Sequence, residues 1–294
     1  MRAHAVTKVL ITGAGGLVGK TLTEHLKNHR HIDVIPLYHK DLDITDREAV
    51  EKILHYHRAA YVVNCAAYTA VDKAEVEKEQ CYRVNVTGTA NLAETVGAYG
   101  GIFIHYSTDY VFDGKKRSPY TENDPVNPLN YYGYTKWLSE EAVRKAGVKH
   151  FLIRPAWIYG RFGNNFFHRV LQWAKEKDIL YFADDQTGSP TNAEDLAAFT
   201  VFLIEGRKEE FGLYHFSNEG ETTRYGMARE ILSAVGMEKK LVPVPSSYFK
   251  PLAKRPPYSV LSKEKVKTTW RYPVKDWRES LREFVKRFGY DKKN

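Results

Sequence analysis

A chain of 294 residues suffices for one large domain or two modest ones, and a hydrophobic share of 43% with 13% aromatics excludes wholesale disorder. The net charge of +8 suits anionic ligands, but the densest basic runs, Lys115-Lys116-Arg117 and the stretch 263–267, are short and lack the interleaved aromatics of a nucleic-acid groove, so both read as solvated surface. No apolar stretch nears the ~20 residues of a membrane span, and Cys65 and Cys81 give neither a disulfide framework nor a zinc spacing, which makes the cytoplasm the expected compartment.

In chain order, a β-branched run at 8–12 reads as a strand and 16–30 as the helix that follows it. The alternation continues with a strand at 33–38, a helix at 46–57, a strand at 61–64, a helical region at 74–98, a strand at 102–107, a helix at 131–146 and a strand at 151–154. Thr45 and Glu48 have capping-box spacing at the start of the second helix. Strands and helices alternating at these lengths predict a doubly wound parallel sheet. After Arg154 the regularity breaks. Helical patterns recur at 165–176, 193–205, 225–235 and 277–288, with Asn192 as an N-cap and loops such as 243–257 between them. The expected organisation is a dinucleotide-binding domain over 1–155 and a smaller α/β substrate-binding lobe over 156–294, with a soft boundary across which elements interleave.

Three segments carry chemistry. Gly13, Gly16 and Gly19 follow the first strand and open the first helix, the spacing of a Rossmann-type turn that brings backbone N–H groups to a pyrophosphate. An ordinary strand-to-helix turn is the alternative, and position at the start of a βαβ unit favours the dinucleotide. Tyr132 and Lys136 are four apart and share a helix face, where a lysine could make a phenol useful in proton transfer. A surface Tyr–Lys pair is the bland alternative, but neither Tyr131 nor Tyr134 has a lysine at the same spacing. Thr108, at the end of the fourth strand, is placed where doubly wound sheets bind ligands. At the end of the second strand stand Tyr38, His39 and Lys40, not the acid that would accept from a ribose 2′-hydroxyl, so NADPH is expected to be preferred with NADH still usable.

These features resemble an extended short-chain dehydrogenase/reductase, and longer segments narrow the resemblance. Asn64-Cys65-Ala66-Ala67-Tyr68-Thr69-Ala70-Val71-Asp72-Lys73-Ala74-Glu75 is similar to a signature of the dTDP-4-dehydrorhamnose reductases. So are the stretches 107–114, 154–160, 185–191 and 255–259, in the same order. The resemblance implies reduction of dTDP-4-dehydro-L-rhamnose to dTDP-L-rhamnose. It implies catalytic roles for Thr108, Tyr132 and Lys136, and pyrophosphate contacts from Gly16, Leu17 and Val18. It also implies Asp43 and Ile44 beside the adenine, Ala66, Ala67, Tyr68 and Thr69 along the cofactor, and Thr108, Asp109 and Trp157 against the sugar. Cys65 stands where the signature has alanine.

Two other readings remain open: a sugar-nucleotide epimerase or dehydratase, which would retain its cofactor, and a non-catalytic regulatory subunit like the β subunit of methionine adenosyltransferase. A homodimer is left open, and neither a nucleic-acid nor a membrane partner is expected. No metal site is expected either, because His25 and His29 share a helix face without a third ligand.

Overall fold

The computed structural model describes residues 6–291. Its first part alternates β1 (Thr7–Thr12), α1 (Leu17–Lys27), β2 (Ile32–Leu37), α2 (Arg47–His57), β3 (Tyr61–Asn64), α3 (Lys78–Tyr82), α4 (Gly88–Ala98), β4 (Ile102–Tyr106), α5 (Tyr131–Lys145) and β5 (Lys149–Arg154). There follow β6 (Ile158–Tyr159), α6 (Phe166–Glu176), β7 (Ile179–Ala183), β8 (Thr187–Gly188), β9 (Thr191–Asn192), α7 (Ala193–Glu205) and β10 (Gly212–His215). The last elements are β11 (Thr222–Thr223), α8 (Arg224–Ala234), β12 (Lys240–Val244), α9 (Glu264–Trp270) and α10 (Trp277–Arg287).

Six parallel strands form the central sheet in the order β10-β5-β4-β3-β1-β2. Val9, Leu10 and Ile11 are wholly buried, which follows from helices covering both faces of a parallel sheet. On one face α1 and α7 pack over Val9, Ile11, Ile104 and Ile153. On the other, α2, α4 and α5 cover Leu10, Val62, Phe103 and Leu152. A separate core around Phe167, Ile231, Trp277 and Phe284 joins α6, α8 and α10 into the smaller lobe. β10 and α7 lie beyond residue 155 yet belong to the sheet layer, so the chain crosses back after starting the second lobe.

Several local expectations need correction. The N-cap of α2 is Asp46, whose side chain accepts from the Ala49 N–H at 3.1 Å, while Thr45 instead meets Arg83. An aspartate at the cap makes the short bond that the threonine one residue earlier cannot reach. The helix α1 ends at Lys27, not at 30. The helical region 74–98 is α3 and α4 joined by one wide turn at Arg83–Thr87. Pro243 and Val244 belong to β12, paired with β7, and not to a loop. α9 forms within the lysine-rich stretch read as plain surface because Val266 is fully buried under it.

Candidate active site

Strand order reverses between β1 and β3, and a cleft of about 450 Å³ opens at the carboxyl ends of the strands there. The glycine turn forms one wall, and its glycines have different reasons to be glycine. Gly13 has φ +64°, and a Cβ on it would lie 2.5 Å from the Ala66 nitrogen. A Cβ on Gly19 would lie 2.3 Å from the Gly13 carbonyl oxygen, so this residue lets α1 approach β1. Gly16 meets only the Gly13 oxygen at 3.4 Å and faces the cleft together with Leu17 and Val18. It caps α1 without any side-chain hydrogen bond, and the first turn holds no acid. The open N–H groups and dipole of that helix end suit the pyrophosphate of a dinucleotide.

The opposite wall carries the proton-transfer candidates. Asn130 starts α5 by accepting from the Gly133 N–H at 2.8 Å, and its amide donates to the Lys254 carbonyl at 2.8 Å. Gly133 in turn lets α5 press against the Tyr110 carbonyl, where a Cβ would lie 2.2 Å away. This contact aims Tyr132 into the cleft beside Thr108. Burial pushes the Tyr132 phenol above its usual range, opposed by a hydrogen bond with Thr108. Lys136, one turn further along α5, is wholly buried, and burial lowers its ammonium to about 8, partly offset by Glu140. Thr108 accepts from the Tyr110 N–H at 3.2 Å and donates to Asp109 at 3.1 Å. Asp109 also accepts from Ser259 at 2.6 Å, and burial raises its carboxyl to about 6.

Trp157 holds a left-handed backbone, φ +46°, at the far end of the cleft. Its indole lies over Gly188, where a Cβ would come within 2.4 Å of the ring, and the Arg224 guanidinium sits 3.6 Å from the ring centroid. Arg224, Arg169 and Phe166 also border a second cavity of about 310 Å³, reached by Arg255, Tyr181 and Phe249. Sequence spacing gave no sign of Arg224 or Arg169. A basic residue in the first turn of a helix carries no pattern, and only their convergence on one waist singles them out. The segments that carried the resemblance do meet here. Arg255 donates to Asp72 at 2.5 and 3.2 Å, and Ser259 reaches Asp109.

The other expected residues divide between the cleft and its surroundings. Ala67 and Thr69 line the cleft, whereas Ala66 packs into the core and the Tyr68 phenol donates to Glu77 at 2.6 Å. Cys65 lines the cleft too, and burial raises its thiol. At the end of β2 the Tyr38 ring covers Gly15, and the Tyr38 N–H donates to Asp41 at 3.0 Å. His39 and Lys40 are exposed beside it. Asp43 accepts from the Thr45 N–H at 2.9 Å, and Ile44 is buried against Gly88. His25 on α1 meets Glu194, whereas His29 lies just beyond the end of that helix and meets Glu205, so the two do not share the helix face expected of them. Among the described residues no group of three His, Cys, Asp or Glu side chains is placed to hold a metal, and no helix is long and apolar enough to cross a membrane.

The family described as the RmlD substrate binding domain matches residues 7–290. The dTDP-4-dehydrorhamnose reductase of Aggregatibacter actinomycetemcomitans is 35% identical, over 94% of this chain and 98% of that protein. A spore coat polysaccharide biosynthesis protein, SpsK, of Bacillus subtilis is 38% identical, over 95% of this chain and 97% of its own. The crystal structure of the Bacillus anthracis dTDP-4-dehydrorhamnose reductase in complex with NADP superposes with a TM-score of 0.93 at 34% identity, covering 96% of this chain and 99% of that one. The chain therefore belongs to the RmlD family of dTDP-4-dehydrorhamnose reductases.

Proposed function

We propose that this protein reduces the C4 ketone of dTDP-4-dehydro-L-rhamnose to dTDP-L-rhamnose with NADPH. The observation that carries the reading is the meeting of an uncapped glycine-turn helix with Thr108 and Tyr132 across one cleft. Bound NADPH supplies the hydride. Gly16, Leu17 and Val18 hold its pyrophosphate, Asp43 and Ile44 flank the adenine, and the 66–69 segment lies along it. Tyr132, kept protonated by burial, donates a proton to the ketone oxygen. Thr108 orients that oxygen, and Lys136 holds the ribose and stabilises the tyrosinate. Asp109 and Trp157 contact the sugar. Residues 1–155 make the cofactor side and 156–294 most of the substrate side, with α7 and β10 crossing back. Two free thiols suit the cytoplasm.

The test follows NADPH absorbance with dTDP-4-dehydro-L-rhamnose and its UDP counterpart side by side. One NADPH consumed per sugar, with the dTDP compound preferred, is the expected result. Turnover of a sugar nucleotide without net NADPH loss would instead mean an epimerase or dehydratase.

The second cavity extends the reading to the rest of the substrate. Arg224 and Arg169 at the waist take the diphosphate, and the aromatic chamber beyond takes the base. Arg224→Met should therefore raise KM for the dTDP-sugar by roughly 10- to 100-fold, the loss of one charged hydrogen bond of ~1.5–3 kcal/mol. NADPH affinity, measured by fluorescence titration, should stay unchanged. An unaltered KM would remove Arg224 from the substrate site.

The coenzyme preference is tested at Lys40. Asp41 is turned back to accept from the Tyr38 N–H, which leaves Lys40 as the exposed cation beside the end of β2. An exposed pair contributes only ~0.2–1 kcal/mol, so Lys40→Ala should lower the NADPH:NADH ratio of kcat/KM by roughly twofold to fivefold. Added salt should erode the ratio in wild type. A wild type that favours NADH would refute the assignment.

A further inference from the structure

His105 takes no part in the reading above, yet it touches its lysine. It lies on β4, wholly inside the protein, on the face covered by α5. Both ring nitrogens are engaged. Nδ1 is 3.2 Å from Asn64 Nδ2, while Nε2 is 2.9 Å from Ser139 Oγ and 3.2 Å from Lys136 Nζ.

The hydrogens around this ring follow from its neighbours. Asn64 Oδ1 accepts from the Thr12 hydroxyl at 2.7 Å and from the Ala66 N–H at 3.1 Å, which fixes the amide and makes Nδ2 the donor toward His105. His105 must therefore accept at Nδ1, and the neutral ring carries its hydrogen on Nε2. Ser139 donates to the Lys136 carbonyl at 2.6 Å, leaving its oxygen to accept from Nε2–H. Burial, with Lys136 and His150 nearby, holds His105 well below the usual imidazole range, so it takes no second proton.

Lys136 Nζ thus faces an N–H and not a lone pair. An ammonium finds no acceptor there, whereas an amine can accept from Nε2–H. We propose that His105 is a positioning residue for Lys136, one whose Nε2–H favours the amine over the ammonium and so eases release of the lysine's proton. On the reductase reading, Tyr132 gives its proton to the ketone oxygen and the tyrosinate recovers one from Lys136. The amine that remains is held by Nε2–H until solvent returns the proton. Glu140 on α5 acts on Lys136 in the opposite sense, Cys81 on α3 lies close to it, and His150 on β5 faces His105. The network begins at Thr12, next to the glycine turn, and runs across β1, β3 and β4 to α5.

The test is the titration of Lys136 itself in the cofactor-free protein, followed by the ¹³C resonance of its ε carbon and assigned by its loss in Lys136→Met. Two variants should move it in opposite directions. His105→Gln lets an amide oxygen face Nζ and should raise the titration by about half a unit, roughly threefold in proton affinity. Ser139→Ala removes the competing acceptor, commits Nε2–H to Nζ, and should lower it. The alkaline limb of kcat/KM for reduction should follow in each case. In wild type, ¹⁵N spectra should show His105 as the neutral Nε2–H tautomer from about pH 5 to about pH 9. Shifts of the same sign in both variants, no shift in either, or an Nδ1–H tautomer in wild type would overturn the proposal. Opposite shifts in a chain that does not reduce the dTDP-sugar would uphold it and refute only the reductase reading.

Discussion

Tyr132→Phe should lower kcat for ketone reduction by about 10²- to 10⁴-fold, the usual contribution of a positioned general acid. NADPH affinity should be retained, because the substitution leaves the glycine turn, which lines the same cleft, untouched. Phe removes one oxygen and preserves the ring that packs edge-on to Tyr110 at 6.1 Å between centroids. The fold should therefore be undisturbed. The burial that raises the phenol also keeps it protonated through neutral pH, so wild-type activity draws on a full complement of acid. Single-turnover rates with NADPH, alongside fluorescence titration of the coenzyme, would check both halves. Near-wild-type turnover in a folded variant would take the proton donor away from Tyr132.

Arg154→Met should cost about 3–5 kcal/mol of stability, the penalty for stranding a buried charge. Glu140 is fully buried on α5 and accepts from Arg154 twice at 2.7 Å and from Ser107 at 2.6 Å. Burial alone would raise its carboxyl, but Arg154, Ser107 and Arg144 hold it below the usual range. A lowered carboxyl contributes stability that is present above the ordinary carboxylate range and lost as pH falls through the folded value. Urea midpoints at neutral pH would measure the loss. Replacing both partners, as Glu140→Leu with Arg154→Met, should recover much of it. A loss below about 1 kcal/mol in the single variant would mean that the pair is not the anchor of this corner. Because Ser107 precedes Thr108, the single variant should also slow the reaction.

The parts of this molecule that were legible in its sequence are those whose physics is local. The five strands from β1 to β5 announce themselves as β-branched runs, and Tyr132 and Lys136 declare a shared face by being four apart. The sixth strand stayed hidden because Gly-Leu-Tyr-His is short and gains its conformation only by pairing with β5. Arg224 was invisible for a similar reason. Its surroundings, Trp157 at one side and Asp109 and Tyr110 at the other, come from loops far apart in the chain. Thr45 and Asp46 show the limit at a finer scale, since two adjacent residues both suit an N-cap and only backbone geometry chooses between them. His105 reads as one residue of a strand until Asn64 and Lys136 are seen on either side of it.

The return of the chain to complete the sheet has a consequence for how the protein is made. A ribosome has already delivered residue 154 when the outer edge of β5 is ready to pair, but the partner for that edge, Gly212–His215, is still nearly sixty residues away. Until it emerges, the nascent chain carries an open parallel edge of apolar strand, the kind of surface that recruits another chain. Termination after residue 155 would make that exposure permanent. A fragment cut there should be caught by chaperones or aggregate, even though it holds the whole glycine turn together with Tyr132 and Lys136. The sheet begun by the first 154 residues is thus closed at this edge only by a strand encoded well after them.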